Sequence, residues 1–352
     1  MAIDWTRGMS QTFRYAVVDP LTWLDREVIA GVSSCTITRD VKKQTFESAS
    51  LEVDGDGWLG AERVVRCYMD VAQGDEVARV CMGTFAFQGA RATRDVGRHT
   101  NPVDGYGLLQ DMAQDSPPFG YCVSGDPSAA VGELVAASCR APFIGYDGLA
   151  PLAAPVWAND GDSWLTFALA VAAEAACTLV TDPYGRVTMV PDVALAALRP
   201  VWSYDTENCI VFPNSDEETD LFDVPNWCEV TVTNGTSIVV GSAENTSPWS
   251  PVSTVRRGHR VPLRLTNPDG LSSACTKADA DAFAARQLAD RSEVQRMRRY
   301  THAWCPVWAG DAVSLAFDGD PVVARVETQE IRLKTGVEVE ELASYSERVW
   351  SP

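Results

Sequence analysis

The sequence has no Gly-x-x-x-x-Gly-Lys loop and no Cys-x-x-Cys pair, and only three histidines, His99, His259 and His302. Each shortage removes a class of chemistry. Without the phosphate loop, and with Gly105-Tyr106-Gly107 followed by no helix start, nucleotide cofactors have no foothold. A nucleophilic triad needs a histidine oriented by a carboxylate. His99 follows Gly97 and Arg98 in a turn, His259 lies in a loop with Arg256, Arg257, Gly258 and Arg260, and His302 alternates in a strand; all three read as structural or solvated. An apolar export core is missing from Met1 to Arg7, and the best apolar helical stretch, Leu165 to Val180, is interrupted by Glu174. The expectation is a protein made and folded in a cytoplasm, without a membrane anchor.

Basic residues are also scarce: 29 Lys and Arg stand against 48 Asp and Glu, a net charge of −19. Affinity for nucleic acid comes chiefly from cations that displace counterions, so this chain does not grip phosphate backbones. An acidic wall past which DNA slides is compatible with that charge. With 352 residues and 46% apolar content the chain fills the cores of two or three domains. Its ten cysteines lie far apart and alternate with apolar residues, as in Val65, Cys67, Met69, Val71, and read as small buried hydrophobes.

Period-two alternation dominates to about residue 115, in the runs Thr12 to Val18, Glu27 to Thr38, Phe46 to Val53, Arg63 to Val71 and Val77 to Gln88. Gln73-Gly74-Asp75 joins the last two as a hairpin. Pro117-Pro118 breaks the pattern. Asp126 with Pro127 then signals a helix over Ala129 to Ser138, and Asp162-Ser163 caps a second carrying Trp164, Phe167, Ala168 and Val171. Asp182-Pro183-Tyr184-Gly185 turns a hairpin. Strands return from about residue 200, with an Asn234-Gly235 turn, and are interrupted by one helix. It opens on the Thr276/Asp279 capping box and is read to run to Arg298 and Arg299 at its favourable C-terminal end. Four antiparallel strands finish the chain: Thr301 to Val307, Ala312 to Phe317, Val322 to Leu333 and Gly336 to Ser346.

Metal and catalytic patterns fail on spacing. Asp54-Gly55-Asp56-Gly57 opens like a calcium loop but has Trp58 and Val65 where ligands are due. Asp216, Glu217, Glu218 and Asp220 show no metal-loop spacing and read as a solvated turn. Abundant acids always offer carboxylate pairs, which is no evidence for glycoside hydrolysis. No cofactor and no metal are expected.

Two basic clusters stand out: Arg256, Arg257 and Arg260, and Arg286, Arg291, Arg296, Arg298 and Arg299. Against an acidic chain they read as subunit-interface candidates, where complementary charge sets register more than affinity. An ordinary solvated face and a nucleic-acid contact are the alternatives.

Taken in order, these pieces resemble the tail-hub, or baseplate-hub, proteins of bacteriophages. The resemblance is carried by Gly83-Thr84-Phe85, then Val103-Asp104-Gly105-Tyr106-Gly107-Leu108-Leu109, Ser163-Trp164, Asp182-Pro183-Tyr184-Gly185-Arg186 ending at Pro191, Asn226-Trp227-Cys228-Glu229-Val230, Ser250-Pro251-Val252-Ser253, Arg257-Gly258 and Gly310-Asp311-Ala312-Val313. It spans about residues 12 to 345. The family's Tyr-Asp turn is only approximated, and the chain ends at Pro352 without an appended wall-degrading domain.

The resemblance implies a mainly β, α+β fold: two tube-like antiparallel β-barrel domains, 1–116 and 201–352, flanking a small α/β insert at 117–200, with helix 276–299 in the second. It implies a non-enzymatic homotrimer at the virion tail tip, assembled in the host cytoplasm. Such a trimer matches the sixfold tail tube and distal tail protein on one side and a threefold spike or tail-fibre protein on the other, with a channel for the tape measure protein and DNA. A different class of reading is a receptor- or carbohydrate-binding β-module that stacks sugars on Trp249, Trp304 or Trp308. A third, a wall hydrolase built on an acid pair, lacks any supporting histidine or zinc pattern.

Overall fold

A computed structural model describes residues 3–54, 62–88, 93–95, 98–205, 211–219, 221–233, 237–317 and 321–351. The glycine loop after Asp54, Cys209 and the Asn234-Gly235 turn lie outside them. The chain divides into two compact units, one of Met1–Asn214 with Tyr300–Leu342, the other of Ser215–Arg299 with Ala343–Pro352.

The first unit opens with β1 (Ser10–Val18), β2 (Asp25–Ile29), β3 (Val32–Asp40), β4 (Glu47–Asp54), β5 (Arg63–Gln73), β6 (Glu76–Gln88), β7 (Thr93–Asp95) and β8 (Arg98–Tyr106). Alternation explains them: Val65, Cys67, Met69 and Val71 of β5 are all at 0% exposure on one face. The run read as one strand from Glu27 to Thr38 is broken at Gly31, which adopts φ +76°. Gln73 pairs with Glu76 across the expected tight turn.

The segment after residue 108 builds α1 (Leu109–Ala113), β9 (Cys122–Val123), α2 (Pro127–Ser138), β10 (Phe143–Ile144), β11 (Val156–Trp157), α3 (Trp164–Glu174), β12 (Cys177–Thr181) and β13 (Val187–Pro191). Helix α1 corrects the reading that no helix follows Gly107. It is only five residues long and has no side-chain cap, so no local signal announces it; burial of Leu109 and Met112 holds it. Both longer helices begin where their caps required: Asp126 accepts from Ala129 N at 3.0 Å and Ser163 from Thr166 N at 3.1 Å. Leu134, Val135, Leu165, Phe167 and Val171 pack into one core under them.

After β14 (Trp202–Asp205) the chain passes into the second unit within β15 (Val211–Thr219). Asp216, Glu217 and Glu218, read as a turn, fall within β15. There β16 (Trp227–Thr233), β17 (Ile238–Glu244), α4 (Thr254–Arg257), β18 (Pro262–Thr266) and α5 (Lys277–Arg291) form a three-stranded sheet, order β17-β16-β18, covered by α5. Cys228, Val230 and Val232 meet Phe283, Ala284 and Leu288. A Cβ added at Gly241 would lie 2.3 Å from the Ala280 carbonyl carbon, so glycine is what lets the helix lie on the sheet.

The capping box at Thr276 and Asp279 is present, but α5 stops at Arg291. Residues 293–299, read as its C-terminal end, belong to β19 (Glu293–Ala303). Ser292 ends the helix by sending its hydroxyl to Leu288 O at 2.7 Å, and Val294, Arg298, Tyr300 and His302 then bury every second or fourth position, a strand period that no α-helix shares.

The first unit is completed by β20 (Ala312–Ala316), β21 (Val322–Arg332) and the first half of β22 (Glu338–Arg348). Its main sheet runs β21-β3-β4-β8-β6-β5-β1-β2, with β20 pairing both β21 and β14. The fold is therefore α+β and mainly β. No pair among the described residues closes this sheet into a ring.

Candidate functional site

Three features of the structure bear on function: a docked turn, a buried ionisable cluster and an exposed loop.

The turn is the tip of the β12–β13 hairpin. Asp182 N donates to Arg186 O at 2.9 Å and Gly185 sits at φ +76°, as the Asp-Pro-Tyr-Gly order requires. Pro183 O accepts from the Thr84 hydroxyl at 2.9 Å, and Tyr184 O from Trp23 Nε1 at 2.9 Å and Arg66 Nη2 at 3.3 Å. Arg66 is itself held by Asp25 at 2.7 Å. Beside the turn, buried Glu47 accepts from Thr181 Oγ1 at 2.6 Å and from Arg39 Nε at 3.2 Å. Burial pushes the Glu47 carboxyl above its ordinary range, and the Arg39 charge only partly offsets it. A cleft of about 610 Å³ opens alongside, with Arg39, Lys42, Lys43 and Arg325 in its lining.

The ionisable cluster centres on Glu341, at 0% exposure. Its Oε1 accepts from Gln329 Nε2 at 2.8 Å and faces His302 Nε2 at 3.3 Å; its Oε2 accepts from the Tyr300 hydroxyl at 2.8 Å and the Tyr204 hydroxyl at 3.2 Å. His302 Nδ1 lies 2.7 Å from Ala303 O, an acceptor only, so that nitrogen carries a proton. Nε2 faces both Glu341 Oε1 and, at 3.1 Å, the Tyr204 hydroxyl. Burial alone would raise the Glu341 carboxyl, but the His302 charge and these donors outweigh it and hold it below the usual carboxylate value. Cys305 Sγ, 3.3 Å from the Tyr204 hydroxyl, closes the cluster. His302 at 1% and Cys305 at 3% exposure have no path to a substrate, so the cluster is a structural pin and its histidine is committed. His302 thus proves to be positioned by a carboxylate after all, a pairing that no local sequence pattern shows.

The eight arginines read as interface candidates all fall in the second unit, and Arg286 lies over the Phe283 ring. Arg256 is exposed on α4. Arg257 donates to Val224 O at 2.8 Å and to Leu221 O, and Arg260 pairs with Glu244 at 2.5 Å while lying over the Trp227 ring. Arg291 is exposed at the end of α5, Arg296 pairs with Glu347 at 2.5 Å, Arg298 is buried and Arg299 is exposed on β19. Two of the three tryptophans considered for sugar stacking are packed inward: Trp304 is 2% exposed, with its ring edge-on to Trp5 and Trp308. Trp249 is 89% exposed. Among the described residues no group of three or more His, Cys, Asp or Glu is placed to hold a metal ion.

No protein-family model matches the sequence, and no curated protein matches it. Solved structures do match in fold. The tail protein from Neisseria meningitidis MC58 superposes with a TM-score of 0.60 at 14% identity, over 98% of this chain and 99% of that one. The 43 kDa tail protein of prophage MuSo2 from Shewanella oneidensis gives 0.60 at 13% identity, over 95% and 98%. A chain of the lidless PdpA-VgrG complex gives 0.52 at 7% identity, over 96% of this chain and 65% of that one. The chain has the fold of phage tail proteins.

Proposed function

We propose that this chain is a structural, non-enzymatic hub of a phage tail tip or baseplate. In this reading it is a homotrimer whose two tube-like β-domains per subunit make a pseudo-sixfold ring. The ring joins the sixfold tail tube and distal tail protein to a threefold spike or tail-fibre protein, around a channel for the tape measure protein and DNA.

The observation that carries the reading is the end-to-end likeness to two tail proteins, each covered over nearly its whole length. Two physical features support it. Strand β2 ends the main sheet of the first unit, and its row of unpaired backbone groups is a hazard that pairing with a neighbouring subunit removes. The net charge of −19 suits a lumen that must not hold DNA.

Cryo-microscopy of intact particles carrying a tag on this chain tests the proposal. A threefold ring of tagged density at the tail tip is expected. Tag density elsewhere on the particle, or particles complete without the chain, would overturn it.

A further inference from the structure

The second unit spends an unusual amount of buried polar structure on one loop. Asn226 and Asn245 are both at 0% exposure, and their amides serve residues 245–261. Asn226 Nδ2 donates to Val252 O at 3.0 Å and His259 O at 3.1 Å, and its Oδ1 accepts from Val261 N at 2.8 Å. Asn245 Nδ2 donates to Ser250 Oγ at 2.9 Å and its Oδ1 accepts from Ser247 N at 3.2 Å. Thr254 Oγ1 donates to Glu244 Oε1 at 2.7 Å, and Ser253, also at 0% exposure, caps α4. A loop tied at so many points is set before anything meets it.

What this rigid frame displays is apolar. Trp249 is 89% exposed and Val255 63% exposed, with the exposed Arg256 beside Val255 in sequence. The Arg256 guanidinium makes no ion pair among the described residues, whereas Arg257 and Arg260 are engaged within the unit. Trp and Arg are the side chains that dominate protein interfaces, and a pre-ordered loop docks without an ordering cost. A sugar site would need hydroxyl-reading amides or carboxylates around the ring, but Asn245, Ser250 and Ser253 of the loop are buried and bonded within it.

Charge identifies the occupant. The stretch 245–268 holds four arginines and no acidic residue in a chain of net −19, so the surface most complementary to it is that of a second copy. The same unit also offers a receiving concavity of about 540 Å³, where Val224, Leu263, Val294 and Met297 lie among the lining residues with two acids, Asp223 and Glu293, and one cation, Arg291. We infer that Trp249 is the anchor of a contact between copies of this chain, seated in that concavity of the next copy with Arg256 set against Glu293. The inference rests on the reading of a self-assembling tail component and names the surface by which it assembles.

Sedimentation velocity on the full chain, over a concentration series, tests it with four proteins: wild type, Trp249→Ala, Arg256→Glu, and Arg256→Glu combined with Glu293→Arg. The wild type is expected to self-associate. Trp249→Ala should raise the dissociation constant at least about 30-fold, as for a hot-spot residue, with unchanged circular dichroism and the thermal midpoint of the dilute, dissociated wild type, because the ring touches solvent in the free chain. Arg256→Glu should weaken association and the added Glu293→Arg should restore it. Self-association unaffected by Trp249→Ala would overturn the inference while leaving the tail assignment, which the particle images decide separately. A wild type that stays monomeric throughout, or one whose tryptophan fluorescence titrates with a chito-oligosaccharide and loses the response in Trp249→Ala, would also overturn it.

Discussion

Replacing Glu341 with Gln keeps the side chain's shape and removes its charge, which isolates what the buried cluster contributes. Four donors converge on the two carboxylate oxygens: Gln329 Nε2, His302 Nε2 and the hydroxyls of Tyr300 and Tyr204. An amide offers one oxygen and sets two N–H donors against the rest. The tyrosine hydroxyls can rotate toward other acceptors, but the imidazole is fixed by its bond to Ala303 O and keeps Nε2 facing the substituted side chain. Removing one partner of such a pair costs about 3–5 kcal/mol. For a unit of this size that lowers the thermal midpoint by roughly 10 °C. Differential scanning calorimetry of Glu341→Gln beside Glu340→Gln is the assay, since Glu340 is 30% exposed and its pairing with Arg332, at 3.7 Å, belongs to the class worth about 0–1 kcal/mol. The same pair of variants reads the pH dependence. The Glu341 carboxyl is held below its ordinary value in the folded chain, so on acidification the unfolded chain takes up its proton first. The stabilisation is complete above about pH 4.3, the ordinary glutamate value, and drains away as pH falls through the folded value. Glu341→Gln should flatten that acid limb. A loss under about 1 kcal/mol with an unchanged acid limb would refute the account of an ionised, four-donor carboxylate.

Other parts of the structure give narrower expectations. Gly241→Ala places a methyl against the Ala280 backbone and should destabilise the second unit by about 1–3 kcal/mol or more; hydrogen exchange should quicken in β16, β17 and α5 while the β5–β6 ladder keeps its protection. Asp126→Ala removes the cap of α2 and should cost about 1 kcal/mol in denaturant unfolding, with no change of slope. Maleimide at neutral pH should label exposed Cys122 quickly and leave Cys81 and Cys139 intact, since burial pushes both of those thiols up to about 12; mass spectrometry of peptides after a short pulse checks it by comparing the three peptides.

The residues that announced structure were those whose chemistry is local. Asp126, Ser163 and Thr276 cap helices because a short acceptor beside bare backbone N–H groups needs nothing from elsewhere in the chain, and Gly185 ends its turn for the same reason. The end of α5 was hidden because Arg296, Arg298 and Arg299 suit a helix C-terminus as well as a strand, and only burial of Val294, Arg298 and Tyr300 in register decides between them. The ionisable cluster depends on strands far apart in sequence. A signal was nonetheless present. Glu341 takes its turn in the inward row Val337, Val339, Glu341, Ala343, and His302 lies between Tyr300 and Trp304 in another. A polar side chain at an apolar period has to find a partner, and two such positions point to each other. The exposure of Trp249 had no such signal, because the loop around it is shaped by partners distant in sequence, Asn226 reaching Val252, His259 and Val261.

The docked turn of the β12–β13 hairpin has a consequence for how such a chain can change over generations. Trp23, Arg66 and Thr84 all donate to main-chain carbonyls of Pro183 and Tyr184. The host sheet therefore reads the path of the turn at these points, and beside them the Arg66 guanidinium lies over the Tyr184 ring, Glu47 takes the Thr181 hydroxyl, and a Cβ added at Gly185 would lie 2.7 Å from Thr84. A hairpin of other side chains that kept this bend would keep those carbonyl contacts, while the helices before it would still have to fill the core that Leu134 and Phe167 share with Val18, Phe46, Val64 and Ala86.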